Sequence, residues 1–116
     1  MKICITAHGE TLDSPIDERF GRAEFFVLVD TDTMLPEVIS NSKTQDAHGV
    51  GIASGSLIAS AGAEALLTGH CGPKALEVLA AGGIRVYNGA HGTIRESIEA
   101  FNRGELSEAA LPGNPR

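Results

Sequence analysis

The 116-residue sequence predicts a single α/β domain on a mixed five-stranded sheet with about three helices. The first forty residues alternate strand-like runs with polar turns, and the stretch from residue 50 onward alternates helix-like with strand-like runs. The length suits one hydrophobic core.

Residues 2–7 (KICITA) place Ile3, Ile5 and Ala7 on one face and Lys2, Cys4 and Thr6 on the other, the period of a first strand. Residues 8–19 (HGETLDSPIDER) are polar and contain a proline, so they form a loop. The aromatic and β-branched run EFFVLVD at 24–30 is a second strand, and PEVISNS at 36–42 a third, after the turn TDTM. These three strands form an antiparallel meander.

A second polar loop, SKTQDAHG at 42–49, leads to a helix over 51–61, where Ala53, Leu57, Ile58 and Ala61 fall at helical spacing and Gly62 is the stop. EALLTG at 64–69 is strand four. Pro73 stands at the first position of a second helix, whose stripe of Ala75, Leu76, Leu79 and Ala80 ends at Gly82 and Gly83. IRVYN at 84–88 is strand five. Thr93 and Glu96 have the spacing of a capping box, opening a third helix with Ile94, Ile98 and Phe101 inward and Gly104 as its stop. The domain spans 1–106, and 107–116, with two prolines, reads as a fraying tail. Two helix-to-strand crossovers make strands four and five parallel to strand one, with helices on the faces. The strand order is 3-2-1-4-5, strand two antiparallel.

The net charge of −6 excludes a broad basic surface for nucleic acid. No apolar run approaches a membrane span and the N-terminus enters a strand at once, so the expectation is a cytoplasmic protein. Cys4 and Cys71 are the two cysteines, and their separation indicates neither a disulfide framework nor a thiolate zinc site. Cys4, mid-strand, reads as a buried inert thiol.

An internal repeat points to the site. Segments 62–72 (GAEALLTGHCG) and 82–92 (GGIRVYNGAHG) match at a displacement of 20, pairing Gly62 with Gly82, Gly69 with Gly89 and Gly72 with Gly92. Cys71 and His91 fall at equivalent positions, with His70 beside the first. Strand one ends similarly on Ala7-His8-Gly9. If strands one, four and five are parallel, their carboxyl ends carry His8, His70, Cys71 and His91 along one edge, where open α/β sheets bind ligands. His48 lies in the loop that starts its crossover near the same edge. The alternative is that all four histidines are simply solvated loop residues. Cys71 precedes a helix N-terminus, whose dipole and free amides favour a thiolate or another anion, and the Gly69 to Gly72 amides make a small cradle. Arg19 and Arg22 supply positive charge nearby, or else pair with Asp17, Glu18 or Glu24. The loops at 8–19 and 42–50 are expected to be mobile without ligand.

MKICITAHG at the start, RFGRAEFFVLVD at 19–30, LLTGHCGPKALEVLAAGGIRVYNG at 66–89 and the closing helix resemble the dinitrogenase iron-molybdenum cofactor biosynthesis family over about residues 1–106. The most specific pieces are Phe20-Gly21-Arg22-Ala23, the turn Gly69 to Pro73 with Ala75, and Gly83-Ile84 with Val86-Tyr87. The resemblance implies a ribonuclease H-like three-layer domain that binds, stores or transfers a preformed anionic metal-sulfur cluster without catalytic turnover, as NifX- and NafY-like carriers do. Within that family, a lone domain of this size resembles the single-domain members, and this resemblance implies a molybdenum-copper sulfide held without covalent bonds, the alternative being an iron-molybdenum type. Arg19, Arg22, Gly69, His70 and Gly72 would then meet the cluster, and Cys71, His8, His48 and His91 its metals, for which thiolate and imidazole are suitably soft. Many relatives carry His where this chain has Arg19, so an electrostatic role replaces a ligand role there.

Two other functions compete. A regulatory module would bind a partner such as a P-loop ATPase or a cluster-assembly or acceptor protein; the chain has no phosphate loop of its own, since GVGIASGS at 49–56 lacks the Gly-Lys-Ser/Thr ending. A ribonuclease H-like hydrolase needs clustered carboxylates around magnesium, and strand one offers none between Lys2 and Gly9.

Overall fold

Ile3, Cys4, Ile5, Thr6 and Ala7 are all fully buried, the mark of a strand covered on both faces. That strand is the centre of the fold. The computed structural model describes residues 1–20, 23–40 and 50–109. Its elements are β1 (Lys2–Ala7), β2 (Phe25–Asp30), β3 (Pro36–Ser40), α1 (Val50–Ser60), β4 (Ala65–Leu67), α2 (Pro73–Ala81), β5 (Arg85–Asn88), α3 (Ile94–Asn102) and β6 (Ser107–Glu108).

The sheet order is β3-β2-β1-β4-β5-β6. β2 runs antiparallel to β1, with Lys2 opposite Asp30 and Ala7 opposite Phe25. β4 and β5 are parallel to β1 and to each other, with Ile5 level with Leu67 and Leu67 level with Tyr87. The five expected strands thus stand in the expected order, and a sixth corrects the count. β6 lies in the segment read as tail: Gly104, at φ +74, turns the chain back after α3, and Ser107 and Glu108 pair antiparallel with Asn88 and Tyr87.

Alternation along β1 sends its side chains to two cores. Cys4 joins Phe26, Leu28, Leu66 and Val86 under α1 and α2, represented by Ile58, Leu76 and Leu79. Ile3, Ile5 and Ala7 join Val27, Val29, Ala65 and Leu67 under Ile94 and Ile98 of α3. The helices therefore form layers on both faces: α1 and α2, which belong to the crossovers between parallel strands, cover one, and α3, which leads to the antiparallel β6, covers the other. Gly55 lets α1 lie close to α2, since a Cβ there would come within 2.9 Å of Val78 Cγ1. Among the described residues no helix is long and apolar enough to cross a membrane.

Candidate functional site

Because β1, β4 and β5 are parallel, their carboxyl ends share one edge, together with the start of β2 and the N-termini of α2 and α3. His8 follows β1, His70 and Cys71 follow β4, and His91 follows β5. The edge is the one the sequence indicates.

Residues 8–20 run across this edge and are hydrogen-bonded to it at several points. Asp17 N donates to Thr6 O at 2.9 Å, and Thr6 Oγ1, fully buried, donates to Asp17 O while lying 3.0 Å from Thr68 Oγ1. His70 N donates to Glu18 O at 2.8 Å, and Phe20 N to His70 O at 3.3 Å. Ile16 N donates to Gly92 O, Ile94 N to Ser14 O and Arg95 N to Leu12 O, at 2.8 to 3.0 Å. Phe20 is buried and stacks on Phe26 with centroids 5.7 Å apart. A polar segment is held this firmly because backbone groups near a sheet end must find partners once the side chains around them exclude water. The second loop, with His48, lies outside the described residues, as does Arg22.

The repeat is matched in topology but not in conformation. Gly89 and Gly92 have φ of +90 and +77, so that turn needs glycine for its backbone. Gly69 is needed for a different reason: a Cβ there would meet the Glu18 backbone, Cα and O both at 2.8 Å. Its close approach is to the chain itself rather than to a ligand. Gly72 is needed for neither reason, having φ −67 and nothing within 4 Å of a built Cβ. It caps α2 without any side-chain hydrogen bond, and Pro73 follows. α3 is closed by its own capping box: Glu96 N donates to Thr93 Oγ1 at 3.1 Å and Thr93 N to Glu96 Oε1 at 2.9 Å. Of these two helix starts, α2 is the one open to an anion.

Cys71 is 5% exposed and belongs to the core cluster under α2, its Sγ 3.7 Å from Gly72 O. Burial pushes its thiol up to about 11, opposite to the thiolate expected at a helix start. Desolvation outweighs the helix dipole because the sulfur faces the core. Cys4, fully buried, is pushed up further for the same reason.

His70 and His91 are exposed. His91 Nδ1 lies 3.0 Å from Gly89 O, a contact that requires the proton on Nδ1, and Ser97 Oγ holds the His91 carbonyl at 3.0 Å. Arg19 pairs with Asp17, its N and Nε donating to Oδ1 at 2.9 and 3.4 Å, while its side chain stays 65% exposed. Asp17 is the residue sequence reasoning undervalued. Its side chain is 2% exposed and its Oδ2 has no hydrogen bond, lying 3.7 Å from His8 Nδ1, which is also 3.5 Å from Glu24 Oε1. Its one signal was Ile16 and Phe20 bracketing DER within a polar stretch. Among the described residues no three His, Cys, Asp or Glu side chains converge as a metal set. Of the expected ligands, the described ones, His8, Cys71 and His91, follow strands that end at one edge without forming a chelate. Asp30 and Asp32 are at the opposite edge, beside Lys2 and Met1.

Residues 1–104 match the family model described as dinitrogenase iron-molybdenum cofactor. An uncharacterized protein of Methanocaldococcus jannaschii is 37% identical over 102 residues, covering 81% of this chain and 86% of its own. The apo form of the orange protein from Desulfovibrio gigas superposes with a TM-score of 0.91 at 43% identity, over 97% of this chain and 96% of that one. A Thermotoga protein with a provisional NifB assignment superposes at 0.81 and 36% identity, over 97% and 98%.

Proposed function

Since the chain belongs to the dinitrogenase iron-molybdenum cofactor family, we propose that it binds, stores or transfers a preformed anionic metal-sulfur cluster at the carboxyl edge of its sheet, without turnover of its own. The observation that carries this reading is Gly72. Neither its conformation nor its packing calls for glycine, it opens a helix with no side-chain cap, and the space around it is open to an approaching group. An anion approaching the first-turn amides of that helix accounts for all three features.

The donors around it suit such a cargo. His70 and Arg19 are neighbours across a bridge, both exposed, and His8 and His91 flank them on the adjoining strand ends. A cluster that brings its own sulfide ligands needs few from the protein, so scattered imidazoles and backbone amides serve where a bare ion would need a chelate. Cys71 contributes as a ligand only if the α2 start shifts to expose its sulfur. A molybdenum-copper sulfide is the cluster type we favour, given the likeness to the orange protein.

The test is anaerobic loading of the apo protein with tetrathiomolybdate and copper, followed by desalting, metal analysis and the visible spectrum. Retained molybdenum and copper with a charge-transfer band are the expected result; protein that emerges colourless with this probe and with iron and sulfide overturns the reading. Gly72→Ala supplies the specific control. It should shift stability by less than about 1 kcal/mol, because the gain from a stiffer unfolded chain offsets the poorer cap. Uptake should weaken about tenfold through the intruding methyl.

A further inference from the structure

The ring of His8 is held from one side only. Its backbone N donates to Pro15 O at 3.0 Å, which fixes the residue at the end of β1, and Nδ1 faces two carboxylate oxygens, Asp17 Oδ2 at 3.7 Å and Glu24 Oε1 at 3.5 Å. A ring nitrogen that turned its lone pair toward two carboxylates would be repelled, so the proton of the neutral ring belongs on Nδ1. Asp17 Oδ2 is buried and has no hydrogen bond, while Oδ1 is already taken by the N and Nε of Arg19. His8 is the group positioned to satisfy it. The imidazole remains 44% exposed.

We propose that His8 is a metal ligand through Nε2, for a copper- or zinc-class ion, and that buried Asp17 is the positioning residue that sets this tautomer. Imidazoles that bind metal characteristically give their other N–H to a carboxylate or carbonyl, which orients the ring and raises its basicity. His8 approaches the carboxylate version of that arrangement, its Nδ1 3.7 Å from Asp17 Oδ2 without a formed hydrogen bond, and His91, through Gly89 O, has the carbonyl version. The proposal deepens the carrier reading by naming the atom that meets the cargo, and it rests on that reading only for the identity of the cargo. One imidazole leaves the ion's remaining positions to sulfide or water, consistent with the lack of a chelating trio among the described residues.

The experiment is nitrogen-15 NMR of the histidine rings at a pH well above the imidazole range, first on the apo protein and then with zinc(II) alone as the probe. His8 should show a protonated Nδ1 and a bare Nε2, and zinc should move the Nε2 resonance. Asp17→Asn should shift the ring toward the Nε2–H form and weaken zinc binding about tenfold or more, while Glu24→Gln should leave the tautomer in place, because the Glu24 carboxylate, although nearer, is 62% exposed and screened by water whereas Asp17 is buried. An Nε2–H ring in the wild type, metal on Nδ1 as a chelate with Asp17 and Glu24, or an Asp17→Asn protein with the wild-type tautomer overturns the proposal. If Asp17→Asn fails to fold, the wild-type tautomer and the identity of the metallated nitrogen decide alone. Protein that takes up the thiomolybdate-copper probe yet binds zinc through Nδ1 keeps the carrier reading and loses this one. Protein that takes up no cluster yet binds zinc through Nε2 does the reverse.

Discussion

Cys71 illustrates how a single residue's position can be legible while its chemistry is not. Its place between β4 and α2 follows from the sequence, but whether a side chain at such a junction faces solvent or core depends on how the turn leaves the strand. Here it faces the core, and the thiol is harder to ionise than usual. Below the ordinary thiol range folded and unfolded chains both hold the proton. As pH rises the unfolded chain ionises first, so this group's contribution to stability is lost progressively up to about 11. Cys4 adds to the same trend. Urea midpoints measured across alkaline pH should therefore fall less steeply in Cys71→Ala than in wild type, and equal slopes would remove burial as the cause. Asp17 was hidden for a related reason: an Asp-Glu-Arg run looks solvated, and only the return of the loop over Thr6 buries its first member.

Among the elements, the two whose starts carry a distinct local signal, Pro73 for α2 and the Thr93/Glu96 pair for α3, begin where the sequence indicates. The shortest element was the least legible. β6 has two residues and no pattern of its own, and it exists because Gly104 reverses the chain and the edge of β5 has open hydrogen-bonding groups. The two helix starts also predict different sensitivities. Thr93→Ala removes the acceptor for Glu96 N and should cost about 1 kcal/mol by urea denaturation. A cost near zero would mean that the cap on α3 is redundant with the bond from Ile94 N to Ser14 O.

At the scale of the whole molecule, the order of β1 to β5 was readable because crossovers have one hand and sequential strands tend to be neighbours, rules that leave few topologies for this pattern. What no such rule supplies is the path of residues 8–20, which depends on backbone bonds to turns 50 or more positions away. Hydrogen exchange gives the check. The amides of His8, Ile16, Asp17 and His70 should exchange at rates approaching those of the central strands, because opening any of them breaks contacts to several elements. Exchange as fast as in an exposed loop would return this segment to the mobile class.

The same stitching bears on the order of events during synthesis. The β1–β2 hairpin can pair as soon as the first thirty or so residues emerge, but residues 12–20 also pack and hydrogen-bond against Gly69, His70 and Gly92 to Arg95, which leave the ribosome much later. Contacts so distant in sequence form late, after the loop-closure entropy has been met. The edge is thus assembled only when the later segments have emerged, and the cargo proposed for it would meet the finished polypeptide rather than the emerging one.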